Sequence, residues 1–232
     1  MLVSGRMTRE VVTASPGTTL AEGLALMNER RIRHLPVLEN GVVVGIVSDR
    51  DLRGAAPPQG SLPEEERYQF LRQHRIAEIM HGEVVTVEQG TPIEEAARTM
   101  ATRKIGCLPV LEGGALVGIL TASDLLRGFV DLFGMNRPSS RIEVRIPNRP
   151  GELARVVRLI GVEHKINIAG MVVPAITTRE SLAVIRIQTL DPRPVVEGLR
   201  GLGYEVGWPS LEASESPLRP PQAGGSATAS LE

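Results

Sequence analysis

The chain has 232 residues, 42% of them apolar and 23% charged, with a net charge of −1 and a single cysteine. That is the balance of an ordinary globular protein of one or two domains with a real core. It excludes a polybasic nucleic-acid surface, an internal disulfide framework and, for want of any apolar run of about 18 residues, a membrane-spanning helix. Three Phe, two Tyr and one Trp leave few platforms for stacking bases. Neither nucleic acid nor membrane is an expected partner, and with no signal-peptide core at the amino end the expected location is cytoplasmic.

In chain order, Val11-Val12-Thr13 predicts a short strand and Ser15 to Thr19 a turn and cap. Leu20, Leu24 and Met27 recur at helical spacing, giving a helix with one buried stripe that ends near Arg30-Arg31. Leu35 to Leu38 and Val42 to Val47 are two apolar strands about Glu39-Asn40-Gly41, and Asn-Gly is a strong hairpin signal. The stretch Gly45-Ile46-Val47-Ser48-Asp49-Arg50-Asp51-Leu52 then runs from strand into helix. Gly54 to Gly60 is a flexible turn, and Pro63-Glu64-Glu65-Glu66 opens a helix that reaches Arg72, with acid at its positive end.

The pattern then returns at a constant offset of 73 residues, with Gly118-Ile119-Leu120-Thr121-Ala122-Ser123-Asp124-Leu125 repeating the stretch from Gly45. Met7 to Arg53 lies over Met80 to Leu126 without a gap, and roughly 22 of the 47 paired positions are identical. The second copy supplies the strand Val84-Val85-Thr86, a helix through Ile93, Ala96, Ala97 and Met100, and a hairpin about Gly113-Gly114. Ser48-x-x-Asp51 and Thr121-x-x-Asp124 are close to capping boxes. A helix start with free N–H groups is equally a place for phosphate, and an exposed Asp there can accept two ribose hydroxyls. Cys107 lies in an apolar strand and reads as a buried structural thiol, with a catalytic thiol the sharper alternative.

The strings RHLPVLENGVVVGIVSDRDL and GCLPVLEGGALVGILTASDL resemble the CBS domain, and two in tandem resemble a Bateman module. The resemblance implies clefts between the paired units that take adenosine-containing ligands: AMP, ADP, ATP, S-adenosylmethionine or dinucleotides. Carried over by position, it implies Ser48 and Thr121 on phosphate or ribose and Asp51 and Asp124 on the ribose hydroxyls. Thr13 and Thr86, with His34, Leu35, Pro36 and Cys107, Leu108, Pro109, would line the base. Arg31, Arg33, His34, Arg50 and Arg53 stand around the first unit, where the second has Lys104, Gly106, Cys107, Ser123 and Leu126. A polyphosphate is therefore expected in the first cleft, although the same basic groups could be solvated or paired with Glu29 and Glu39.

Leu125 to Phe133 continues the exit helix and Gly134 to Ser140 is a linker. A different pattern follows: strand (Ile142, Val144, Ile146), loop (Asn148 to Gly151), helix (Leu153, Val156, Val157, Ile160), strands Asn167 to Val173 and Ser181 to Gln188, helix Pro194 to Leu202, strand Tyr204 to Trp208. This is the split βαβ arrangement. NRPGELARVV and INIAGMVV resemble the ACT domain, which implies pairing of two such domains and an amino-acid ligand at Asn148, Gly151 and Asn167. Ile146 departs from that pattern where a polar side chain is common. Asn148 and Asn167 can also simply bond backbone, with Pro150 starting the helix. The tail from about Glu212, rich in Pro, Ser, Ala and Gly, is expected to be disordered.

The expected fold class is thus α+β: CBS unit 1 (1–54), a linker with a short acidic helix (55–74), CBS unit 2 (75–133), a linker (134–140), a ferredoxin-like βαββαβ ACT unit (141–208) and a tail (209–232). The whole order resembles the bacterial acetoin-utilization proteins of the B type. That implies a non-catalytic regulator of acetoin or acetyl-CoA metabolism, homodimeric through both kinds of unit, binding an adenine nucleotide and acting on a client enzyme. The alternative is a dimerising scaffold, or an ACT-based amino-acid sensor, with vacant CBS clefts. No Ser/Cys-His-acid set, metal-ligand spacing or phosphate loop is visible, so no catalytic residue, metal or catalytic cofactor is expected.

Overall fold

The repeat in the sequence is a repeat of structure in the computed structural model, which describes residues 1–58, 60–174 and 177–208. The chain divides at Gly128 into two units, each with its own core. The first unit runs α1 (Leu20–Arg30), β1 (His34–Glu39), β2 (Val42–Ser48), α2 (Asp49–Ala55), α3 (Glu64–Gln73), β3 (Val87–Glu88), α4 (Ile93–Arg103), β4 (Cys107–Glu112), β5 (Ala115–Thr121) and α5 (Ala122–Leu132), the last of which crosses the division.

Local chemistry accounts for these elements. α1 starts at a reciprocal cap, Thr19 Oγ1 accepting from Glu22 N at 3.1 Å while Glu22 Oε2 accepts from Thr19 N at 2.8 Å. It ends at Arg31 in the left-handed region, as α4 ends at Lys104. The hairpin turns put Asn40 and Gly41, and Gly113 and Gly114, at positive φ, the conformation a tight primed turn needs. Each hairpin carries a register shift at the same place, between Val37 and Leu38 and between Val110 and Leu111. Leu20, Leu35, Leu52 and Ile76 are fully buried, each contributing about 1.5–3 kcal/mol. Ile93, Leu108 and Leu125 take the places of Leu20, Leu35 and Leu52 in the second repeat and are likewise buried.

The repeats are joined by exchange. His81 and Ile46 bond each other's backbone at 3.0 Å both ways, and Thr8 and Ile119 do the same at 2.9 Å. The segment leading each repeat therefore pairs with the other repeat's hairpin. Gly45 and Gly118 allow it: a Cβ on either would lie 2.5 Å from the Sδ of Met80 or Met7 respectively.

The first strand of each repeat departs from expectation. Val11 to Thr13 and Val84 to Thr86 belong to no strand; pairing begins at Ala14, as one parallel bridge to Val37, and at the equivalent Val87 in β3. In the second repeat Gln89 N donates to Leu111 O at 3.1 Å. The first repeat has Pro16 there, which has no N–H, so its ladder stops at a single bridge.

The second unit runs β6 (Ser140–Pro147), α6 (Glu152–Arg158) continued by a wider π turn at Leu159–Glu163, β7 (Ile168–Val172), β8 (Glu180–Ile187), α7 (Arg193–Gly201) and β9 (Glu205–Gly207). The strands form one antiparallel sheet in the order β7-β8-β6-β9. This is the expected ferredoxin-like βαββαβ arrangement. Ser181, Ala183, Ile185 and Ile187 are buried in alternation along β8, and Val156, Ile160, Val195 and Leu199 cover the same core from the helices. Among the described residues no helix is long and apolar enough to cross a membrane. The expected disordered tail lies outside the described residues.

Candidate functional site

The site is built on the junction of β2 and α2. Ser48 ends the strand and caps the helix: Asp51 Oδ2 accepts from Ser48 N at 2.8 Å and from Ser48 Oγ at 2.6 Å, while Ser48 Oγ accepts from Asp51 N at 3.3 Å. The capping reading is therefore realised, and it uses only one carboxylate oxygen. Oδ1 remains, with His81 Nε2 3.5 Å away. Burial raises the Asp51 pKa, but the hydrogen bonds from Ser48 and His81 outweigh it and hold the carboxyl below its ordinary range.

This carboxylate opens on a cavity of about 1210 Å³. The first repeat contributes Arg33, His34 and the run from Ile46 to Asp51; the second contributes Met80 to Val85 and Lys104 to Cys107. Arg33, Arg50 and Lys104 bring positive charge, and Asp49, Asp51 and Glu83 oppose it. His34 packs on Gly106, where a Cβ would lie 3.2 Å from Nε2. Burial lowers its pKa, Asp51 pulling the other way and Arg33 reinforcing burial, so the ring is neutral at pH 7. Cys107 is 6% exposed and burial pushes its thiol up to about 12. That favours the structural thiol over a nucleophile.

Of the residues expected at a nucleotide site, the cavity gathers Arg33, His34, Ser48, Arg50, Asp51 and Cys107. It is not lined by Thr13, Leu35, Pro36, Thr86, Leu108, Pro109, Thr121, Ser123 or Asp124. Leu35 and Leu108 are fully buried in the core. Two expected members of the basic group also lie elsewhere: Arg53 is spent on Asp49 at 2.8 Å along α2, and Arg31 forms the C-cap of α1. Lys104, grouped by sequence with the second unit's own cleft, faces the first repeat's helix start instead, because each cleft is built from both repeats. Met80, His81, Gly82 and Glu83 were not anticipated. The available signal was the break in the repeat at His81 and Gly82, where the first copy has Thr8 and Arg9.

In the second repeat the cap is the same, Asp124 Oδ2 accepting from Thr121 N at 2.8 Å and Thr121 Oγ1 at 2.6 Å. Here, however, Oδ1 accepts from Arg127 Nη2 at 2.5 Å. The Asp124 side chain is 6% exposed against 26% for Asp51.

In the second unit, Asn148, Gly151 and Asn167 do not line the 440 Å³ cavity found there. Asn148 N donates to Arg179 O at 2.7 Å, Gly151 caps α6 at φ 91°, and Asn167 O accepts from Gln188 N at 2.9 Å. The cavity lies instead around the buried Glu152, whose Oε1 accepts from Arg149 Nε at 2.9 Å and Oε2 from the Tyr204 hydroxyl at 2.7 Å. Among the described residues no group of three or more His, Cys, Asp or Glu could hold a metal ion.

The CBS domain profile matches residues 3–57 and 76–131. A CBS domain-containing protein of Dictyostelium discoideum is 42% identical over 130 residues, which cover 54% of this chain and 89% of that protein. Among solved structures, a Vibrio cholerae protein described as an acetoin utilization protein is 34% identical with a TM-score of 0.48, covering 57% of this chain and 92% of that one. CBSX2, solved in complex with AMP, is 27% identical with a TM-score of 0.48, covering 56% and 96%. The identity to a relative covered over nearly its whole length, together with the two profile matches, places this chain in the family of CBS domain-containing proteins, with two CBS domains in tandem.

Proposed function

We propose that the chain is a non-catalytic regulator that binds an adenine nucleotide of the AMP, ADP or ATP type in the cavity at Asp51. The observation that carries this reading is Asp51 Oδ1 at the start of α2, outside the cap and approached among the described residues only by His81 from the other repeat, beside a capping hydroxyl and within a cavity that also holds Arg33, Arg50 and Lys104. A carboxylate oxygen so placed can accept ribose hydroxyls, and the guanidinium and ammonium groups can take phosphate. The ligand shifts the paired repeats between two states, and the βαββαβ unit, read as an ACT domain, passes the shift to a client enzyme. Assembly as a homodimer through both kinds of unit, and a role in acetoin or acetyl-CoA metabolism, belong to the same reading; they rest on the order of the units and the resemblance it carries.

Calorimetric titration with AMP, ADP, ATP, S-adenosylmethionine and NAD, with light scattering for the oligomeric state, tests it. Asp51→Ala removes a charge-assisted hydrogen bond worth about 1.5–3 kcal/mol, so nucleotide affinity falls about 10- to 100-fold. If Asp51 is a helix cap alone, the variant loses about 1 kcal/mol of stability and no affinity. Absence of binding by folded, nucleotide-free wild-type protein favours the scaffold, a reading supported by the capping bonds that already occupy Ser48 and Asp51 Oδ2.

A further inference from the structure

The two repeats align without a gap around their helix starts and keep the capping acid in each, so the positions at which they differ there carry information. Shifting the lining of the Asp51 cavity by one repeat places Thr121, Ser123 and Asp124 opposite Met7 to Val12, with Arg31 to His34 beside them. The backbone exchange supports that equivalence, since Thr8 bonds Ile119 just as His81 bonds Ile46. A second cleft of the same design is therefore expected at Asp124. Of the differences between the two, one bears directly on the acid: the position three beyond it is Gly54 in the first repeat and Arg127 in the second. Gly54 has no side chain, and Asp51 Oδ1 is left to the cavity and His81. Arg127 donates to Asp124 Oδ1, and with Thr121 on Oδ2 both oxygens of a nearly buried carboxylate are occupied from within the second repeat.

We infer that Arg127 is a built-in occupant of the second ribose position, so that the chain takes one nucleotide, at Asp51, and Arg127 sets that stoichiometry. The inference rests on the nucleotide reading above. Its sign separates it from a general electrostatic role. An arginine that merely adds positive charge near an anion site would, when removed, weaken binding; an arginine standing on the acceptor oxygen would, when removed, strengthen it.

The full-length wild-type chain, Arg127→Ala, and the double variant Arg127→Ala/Asp124→Ala are titrated calorimetrically with AMP, ADP and ATP. The wild-type chain takes one equivalent at concentrations that fill the Asp51 cleft. Arg127→Ala tightens the second site by up to about fivefold, the upper worth of a surface ion pair, moving the stoichiometry toward two, and the double variant returns it to one. Two equivalents of similar affinity in the wild-type protein, or an unchanged or weakened second site in Arg127→Ala, overturn the inference while leaving the nucleotide reading intact. No binding by either the wild-type protein or Arg127→Ala overturns both. A further variant, Arg127→Ala/Asp51→Ala, binds one equivalent through Asp124 alone if the inference holds and none if it does not.

Discussion

Cys107 and His34 line the same cavity, and burial drives both toward their neutral forms. With its thiol raised to about 12, Cys107 carries almost no thiolate near neutrality. Iodoacetamide at pH 8 is expected to label the native protein slowly and the urea-unfolded protein at the rate of an ordinary cysteine; equally fast labelling of both would contradict the burial. The raised thiol contributes stability that is complete below its ordinary value of 9.0 and is lost as pH rises from there toward 12. His34 works in the opposite direction. Its folded pKa lies below the ordinary 6.5, so the unfolded chain binds the proton more readily, and the contribution is complete above 6.5 and lost as pH falls toward the native value. The urea midpoint should therefore drop between pH 7 and pH 5, and His34→Gln should flatten that part of the profile. Neither shift was legible in the sequence, which placed Cys107 in an apolar strand but had no means of placing Gly106 beneath the His34 ring.

At the scale of elements, hairpins and helices follow local rules and were largely readable. Asn40-Gly41 and Gly113-Gly114 turn as their composition requires, and the alternation along β8 puts every second residue in the core. The first strands were misplaced: Val11 to Thr13 and Val84 to Thr86 form no ladder, and pairing falls just beyond them at Ala14 and β3, where Pro16 silences one ladder bond in the first repeat. Glycines carry a second message that spacing does not. At Gly118 an added methyl would meet Met7 Sδ and also the Thr8 carbonyl, 3.1 Å away; at Gly170, in β7, it would meet the Phe133 backbone carbonyl, which cannot swing aside as a thioether can. Gly118→Ala is expected to cost about 1–3 kcal/mol by overpacking, and Gly170→Ala more, each read as a fall in the urea midpoint at unchanged m-value. Equal or greater stability of Gly170→Ala would show that β7, whose register to β8 shifts between Ile168 and Gly170, relaxes there without loss.

Across the whole molecule, the 73-residue repeat, the change of pattern after Gly134 and the βαββαβ order of the second unit follow from the sequence, since they depend on hydrophobic period, turn residues and capping pairs that act within a few neighbours. The same is true of Ser48 and Asp51 as a capping pair, which share one helix turn. The composition of the cavity does not follow in this way. His81 and Glu83 line the cavity at Asp51 because the segment before the second repeat crosses to the first repeat's hairpin, an exchange that the packing of Met7 and Met80 on Gly118 and Gly45 makes possible, and Lys104 joins them from the end of α4. Nor could spacing tell Asp51 from Asp124, which occupy identical places in identical caps. Their difference lies in which donor reaches the second carboxylate oxygen, His81 from the other repeat or Arg127 from the same helix, and that depends on through-space neighbours and side-chain direction, quantities set by the folded chain.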